Sequence, residues 1–370
     1  DQQGSAENVA VGDGLGRIEP RLVTPVEAGP SLAPALIEFT SRVMRLDLMP
    51  HQQRVLTDML RTDDNGNLLF REALVSTARQ QGKSEALKAL IGWWLAVEAV
   101  RRGRPQNVLL VANKLDRTMA MFRALAEVLE PAFGCTVRWS NGAAAIVMQD
   151  GSTLKLAAAK DNHHGSTNDL ICVDEIWDVG PGVIYDALRP TMIARPNPML
   201  AMWSTAGDQS STLMLQLREQ AITAIDAGRR GRLYFAEWSP PPGIDPTDRK
   251  WWPWANPALG RTVSWDALEA AYESPDRTSF LRAHMNLWIT SAESWLPHGL
   301  WDTLEVPDKP LGGVLSVEAS LDGSRYVGIR AGVVADVVVA TVEFVVESEA
   351  AMWQAVEATM ADPTVHLTVP

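Results

Sequence analysis

Eight consecutive residues, Thr77-Ala78-Arg79-Gln80-Gln81-Gly82-Lys83-Ser84, have the types and spacing to cradle a chain of phosphates. A short apolar run, Ala73-Leu74-Val75, precedes them, and Leu87, Leu90, Ile91, Trp94 and Leu95 follow on one side of a helical pattern. Strand, loop ending in Gly-Lys-Ser, then helix is the layout of a nucleotide phosphate loop. Unpaired N–H groups at a helix start carry partial positive charge and attract phosphate oxygens. Lys83 adds a full charge toward the β- and γ-phosphates, and the Ser84 hydroxyl is a ligand for Mg²⁺. The usual pattern begins with Gly five residues before Gly82, where this chain has Thr77, so the strand–loop–helix context carries the reading.

A second chemical element lies far along the chain. Leu170-Ile171-Cys172-Val173-Asp174-Glu175 is an apolar run closed by two carboxylates. Without alternation, such a run suits a strand buried on both faces of a parallel sheet. Ligand sites in open parallel sheets lie at the C-terminal ends of the strands. There Asp174 could hold Mg²⁺, directly or through water, and Glu175 could orient and deprotonate an attacking water. Upstream, Gln52 and Gln53 stand in a turn before a helix, and an amide that both donates and accepts can read adenine.

The elements that must position these groups alternate in type. Asn107–Ala112 reads as a second buried strand and about 115–129 as a helix. Thr136–Met148 and Ser152–Ala158 read as a hairpin turned at Asp150-Gly151. A helix is expected near Gly182–Leu188, a buried strand over Pro198–Ser204, a helix near Thr212–Ala227 and a strand over Arg232–Trp238. Alternating strands and helices predict a parallel sheet covered on both faces. Residues 1–30, rich in Gly, Pro and acids, are expected to form a mobile arm. The first domain is expected over 31–238. A linker subdomain is expected over 239–310, beginning in the breaker-rich Ser239-Pro240-Pro241-Pro242-Gly243 and containing helices near Ser264–Tyr272 and Thr278–Trp288. From 311 to 370 the texture changes to two strands around a turn at Asp322-Gly323, a further strand within Val333–Val346, a helix over Ser348–Met360 and a short strand over Val365–Val369.

Bulk properties narrow the class. The chain has 370 residues, 46% of them hydrophobic, enough for two domains with substantial cores. No apolar run is long enough for a membrane span, and the first residues lack the basic and apolar regions of a signal peptide. Two cysteines and six histidines supply no disulfide framework and no zinc quartet; a reducing, cytosolic setting follows. A net charge of −12 argues against a coat of non-specific nucleic-acid contacts, while leaving room for a local basic track at 101–104, 229–232 or 249–250. Of the 14 tryptophans, Trp93, Trp94, Trp177 and Trp203 fall on core elements, and Trp251, Trp252 and Trp254 are expected to pack the linker against a domain.

This order of elements resembles the large subunit of tailed-phage terminases, the motors that pump genomic DNA into capsids, from about Leu46 to the C-terminus. Arg79-Gln80-Gln81-Gly82-Lys83-Ser84 is similar to that family's variant phosphate loop, and Asp174-Glu175 to its acidic pair. Ser204-Thr205-Ala206-Gly207 resembles its coupling motif. Trp254-Ala255-Asn256-Pro257-Ala258-Leu259-Gly260, with Met285-Asn286-Leu287-Trp288, resembles its linker signature. The resemblance implies a P-loop ATPase with a parallel central sheet covered by helices, followed by an incomplete ribonuclease-H-like α/β nuclease domain. It implies ATP-driven translocation of double-stranded DNA, cutting of concatemers, a homo-oligomeric ring on the portal protein, a small terminase subunit as partner, and a host-cytoplasmic location with transient docking on the procapsid. It assigns Lys83 and Ser84 to phosphate and Mg²⁺, Asp174 to Mg²⁺, Glu175 to the catalytic base, Arg79 to the subunit's own nucleotide, Gln53 ahead of Gln52 to adenine, and Thr205 to γ-phosphate sensing.

Two departures from the family pattern shape the expectations. The arginine that relatives place about ten residues before the acidic pair is replaced by Asp161-Asn162-His163-His164-Gly165, so Arg189, Arg195 or an arginine of 101–104 is the substitute candidate for action on a neighbouring subunit. At the nuclease site, where Mg²⁺ or Mn²⁺ would bind, Glu318 and then Asp322 are the candidate ligands. A further acid is expected beyond the last strand, where this sequence stops, so the 370-residue chain is expected to cut DNA poorly or not at all. The alternatives are a helicase-like nucleic-acid ATPase, or a nucleotide-binding docking module with negligible activity alone.

Overall fold

A computed structural model of the chain describes residues 14–113, 115–139, 144–159, 167–288, 304, 309–319 and 325–368. Asp161–Gly165 and Asp322 lie outside the described residues. The chain divides into two compact units, Asp1–Trp295 and Leu296–Pro370.

The first unit is built on a nine-stranded sheet. In chain order its strands are β1 (Leu22–Val23), β2 (Glu72–Ser76), β3 (Asn107–Ala112), β4 (Thr136–Arg138), β5 (Ala145–Val147), β6 (Thr153–Ala158), β7 (Leu170–Asp174), β8 (Met199–Ser204) and β9 (Leu233–Glu237). Their spatial order is β1-β9-β2-β8-β7-β3-β6-β5-β4. The run from β9 to β6 is parallel throughout, and antiparallel strands close each edge. The apolar runs lack alternation because both faces are covered. Ala73, Val75, Leu110, Cys172 and Trp203 pack with Leu87, Leu90, Trp94 and Phe122 on one side. Their alternate neighbours Leu74, Val111, Val173 and Met202 pack with Ile184, Leu188, Leu213 and Leu217 on the other. The hairpin at Asp150-Gly151 is present, with Gly151 at φ +86°. Its first arm is shorter than expected, because the Thr136–Met148 run divides into β4 and β5 around residues outside the described set.

Residues 14–30 are not a mobile arm. Gly16 N–H donates to Leu259 O at 2.9 Å and Arg17 N–H to Pro253 O at 3.0 Å. The Arg17 guanidinium lies 3.5 Å from the centre of the Trp254 ring, and β1 pairs with β9. Charge and Gly content suggested mobility, but Leu22-Val23 and backbone bonds to 253–259 hold the segment down.

Glu237, at the end of β9, is 1% exposed. It accepts from Arg218 at 2.6 Å, from Arg21 at 2.8 Å and from the Ser239 hydroxyl at 2.8 Å. Burial pushes its carboxyl up, but the bonds and charge of Arg218, with Arg21, outweigh this and hold it below the usual range. A carboxyl lowered in the folded state adds stability above its unfolded pKa of about 4.3 and loses it as pH falls through the folded value. Glu237→Gln is therefore expected to lower Tm at pH 7, with the gap from wild type closing below about pH 4 in thermal melts.

Within the same unit, residues 249–288 form a small subdomain around Trp252, Leu259, Leu268, Phe280 and Met285. Its helices are Trp265–Tyr272, capped by the Ser264 hydroxyl, and Arg277–Met285, capped by Asp276.

The second unit is a four-stranded sheet of β10 (Gly313–Ala319), β11 (Tyr326–Val334), β12 (Val337–Val346) and β13 (Val365–Thr368), in the order β12-β11-β10-β13. Helix Glu349–Met360 covers one face through Met352 and Val356, packed on Leu315 and Val365. Two adjacent residues of a strand point to opposite faces, so Glu318 lies on the face away from Val317 and this helix, and it is exposed.

Candidate nucleotide site

The strand ends bring the two distant motifs together. In the parallel sheet β7 lies beside β8, and β8 beside β2, with their C-terminal ends side by side. The loop 77–82 therefore leaves β2 two strands away from Asp174, with Thr205 between them. The loop then enters helix Lys83–Trp93 at Gly82, whose φ of +75° is left-handed. A Cβ at Gly82 would stand 2.4 Å from Gln52 Nε2 and 2.7 Å from Met49 Cε, so only glycine fits this entry. Gln80 and Glu175 also hold positive φ, at +63° and +58°, a conformation that residues other than Gly, Asn and Asp rarely adopt and that clusters at functional sites.

Lys83 is buried, 7% exposed. Its ammonium donates to Ala78 O at 3.0 Å and to Thr205 Oγ1 at 3.2 Å, and lies 3.7 Å from Glu175 Oε1. Burial lowers its pKa, while the charges of Glu175 and Asp174 oppose that fall. Thr205 completes the link, since both its N–H and its hydroxyl stand 3.4 Å from Glu175 Oε2. Thr77 and Ala78 contribute carbonyls to Lys83, and both are buried. Arg79, Gln80 and Ser84 are exposed. A cavity of about 750 Å³ opens here, lined by Arg79–Glu85, Asp174, Glu175 and Trp177 among others, a size suited to a small ligand. Sequence reasoning placed Trp177 in the core; it is half-buried on the cavity wall.

The two glutamines differ. Gln52 is 1% exposed, accepts from Met49 N–H at 2.6 Å and donates to Gly82 O at 2.7 Å. Its amide shapes the loop. Gln53 is half-buried and donates to Leu48 O at 2.7 Å. His51 supports the loop as well, its Nε2–H donating to Gln81 O at 2.9 Å; burial pushes its pKa down to about 4, so the ring is neutral at pH 7.

The arginines considered for a neighbouring subunit are engaged at the opposite, N-terminal edge of the sheet. Arg189 pairs with Glu72 at 2.6 Å, Arg104 with Asp169 at 2.6 Å, Arg195 with Asp169 at 3.6 Å, and Arg101 and Arg102 with Glu98 at 2.6 Å. Asp169 and Glu98 are buried and need these cations.

Along 92% of its length the chain superposes on the HK97 bacteriophage large terminase, covering 74% of that chain with a TM-score of 0.61 at 19% identity. This is the fold of a phage large terminase. A large terminase from a thermophilic bacteriophage aligns over 86% of this chain and 76% of its own, at 12% identity and a TM-score of 0.45, too loosely to carry an argument. Neither a protein-family model nor a curated sequence matches the chain. The terminase fold accounts for both the large, mainly parallel sheet between helices and the smaller second sheet. Among the described residues no helix is long and apolar enough to cross a membrane, and no group of three or more His, Cys, Asp or Glu could hold a metal ion.

Proposed function

We propose that this chain is the ATPase subunit of a large-terminase packaging motor, hydrolysing ATP to move double-stranded DNA. The observation that carries the reading is the convergence of Lys83, Ser84, Asp174 and Glu175 on one cavity at the C-terminal ends of β2 and β7. Lys83 neutralises the β- and γ-phosphates, loop N–H groups and the helix start bind them, and Arg79 lies at the mouth to add a planar fork of donors. Glu175 aligns and deprotonates the water for in-line attack on the γ-phosphate. Thr205, bridging Lys83 and Glu175, registers whether that phosphate is present. Gln53 is the proposed adenine contact.

A magnesium ion fits this donor set, since a serine hydroxyl and a carboxylate, Ser84 and Asp174, are hard oxygen ligands beside a triphosphate-sized cavity. When bound it would neutralise charge developing on the phosphates. The nuclease reading stands differently. Glu318 is an exposed carboxylate on β10, and the described residues supply no partner set for two metals, so no cleavage step is derived. We further propose that 1–30, 31–238, 239–310 and 311–370 act as N-terminal segment, ATPase, linker and nuclease-like parts. The motor would form a ring on a portal with a small terminase subunit, docked on a procapsid in the host cytoplasm.

A helicase-like ATPase is the competing reading. The assay that separates them offers the purified ring ATP with a tailed duplex and with a blunt duplex. The motor reading expects ATP-dependent movement along the blunt duplex without strand separation. Unwinding of the tailed substrate, with no movement on intact duplex, would sink it.

A further inference from the structure

Three buried amide side chains join the phosphate loop and the end of β8 to the subdomain 249–288. Gln81, Asn256 and Asn286 are 1%, 0% and 0% exposed. Gln81 Nε2 donates to Asn256 Oδ1 at 2.9 Å, and Gln81 Oε1 accepts from Ala258 N–H at 2.8 Å. Asn256 Nδ2 donates onward to His284 O at 2.8 Å and to Trp252 O at 3.0 Å. The loop backbone adds a direct tie, Arg79 N–H to Ala283 O at 2.7 Å. Asn286 ends helix Arg277–Met285 in a left-handed conformation, φ +53°, which aims its side chain under the sheet. There it touches three strand ends at once: its Oδ1 accepts from Ala206 N–H at 2.6 Å, and its Nδ2 donates to Ser76 Oγ at 3.0 Å and to Trp238 O at 2.8 Å. Ala206 adjoins Thr205, the residue that touches both Lys83 and Glu175.

These amides have no part in phosphate chemistry, yet each is bonded on both sides. A buried polar group that loses its partner is heavily penalised, and a satisfied network holds its members in one arrangement. A shift of the loop or of Ala206 must therefore either carry the subdomain with it or strand buried donors and acceptors. We propose that Asn256 and Asn286 are positioning residues that couple nucleotide occupancy at Lys83 and Thr205 to the subdomain 249–288. This rests on the ATP reading of the site. The two contacts act from different sides: Asn256 follows the phosphate loop, and Asn286 follows the segment after β8.

Hydrogen exchange on the full chain, with and without Mg·ATPγS, tests this. In the wild type, exchange is expected to slow in peptides covering 77–84 and also in those covering 252–260 and 277–288. In Asn256→Ala and Asn286→Ala the slowing at 77–84 is expected to remain and that in the subdomain to be lost. Asn256→Asp, the same shape, keeps the acceptor for Gln81 but turns an oxygen toward the carbonyls of Trp252 and His284; the same loss is expected, and it carries the test should the alanine variants not fold. A merely structural role would lower Tm in all variants while leaving the nucleotide-dependent slowing in place, and that result overturns the proposal. Slowing confined to 77–84 in the wild type overturns it too, while leaving the ATP site standing. No slowing at 77–84 sinks the ATP reading, and the coupling with it.

Discussion

Lys83→Ala is expected to reduce ATP turnover by at least about 10²-fold, the scale of losing one preorganised charge-stabilising group, and to weaken nucleotide binding with it. Lys83 is the buried cation of the cavity, held by Ala78 O and Thr205 and faced by Glu175. With the phosphates bound, its charge acts where little water screens it. Removing it leaves Glu175 and Asp174 facing the γ-phosphate with like charge, so both affinity and turnover fall. Steady-state kinetics with titration of a labelled nucleotide checks this. Turnover within a few fold of wild type would remove Lys83 from the site.

Glu175→Gln is expected to act differently, lowering kcat by roughly 10²- to 10⁴-fold, the range for a general base, while nucleotide still binds. Glutamine keeps the size of the side chain and an oxygen for Thr205 to donate to, but it cannot take the proton of the attacking water. It also withdraws the charge that most opposes the burial-driven fall of the Lys83 pKa. Lys83 then becomes neutral at lower pH than in the wild type, so binding that needs its charge is lost earlier as pH rises. The alkaline limb of the binding profile should move down in pH in Glu175→Gln. An unchanged kcat, or an unmoved alkaline limb, would contradict this division of roles.

Much of this site was legible in the sequence because its parts are local. Gly82-Lys83-Ser84 sits between a strand and a helix, and Leu170–Glu175 is an apolar run with acids at one end; each announces its geometry through neighbours in the chain. Their convergence follows from parallel topology, which places strand C-termini together. What was not legible depends on distant partners. Gln52 carries the composition of a base reader, yet Met49 N–H and Gly82 O occupy its amide. Residues 14–30 have the composition of a free arm, yet 253–259 and β9 hold them. Arg189 and Arg195 are ordinary arginines in sequence, and only the fold shows that Glu72 and Asp169 claim them. Asn256 and Asn286 were noted as parts of a signature, but a buried asparagine shows its function only when all its partners are seen. The one signal available was an Asn directly after a helical pattern, a common left-handed stop.

The central claim is that Lys83, Ser84, Asp174 and Glu175 form one pocket for a magnesium-bound triphosphate. A crystal structure of the chain with Mg²⁺ and ATPγS tests it most directly. The account predicts β- and γ-phosphates against the loop 79–84 with the Lys83 ammonium on them, Ser84 and Asp174 at the metal, and Glu175 facing the γ-phosphate. Nucleotide bound elsewhere, or phosphates out of reach of Lys83 and Glu175, would contradict it.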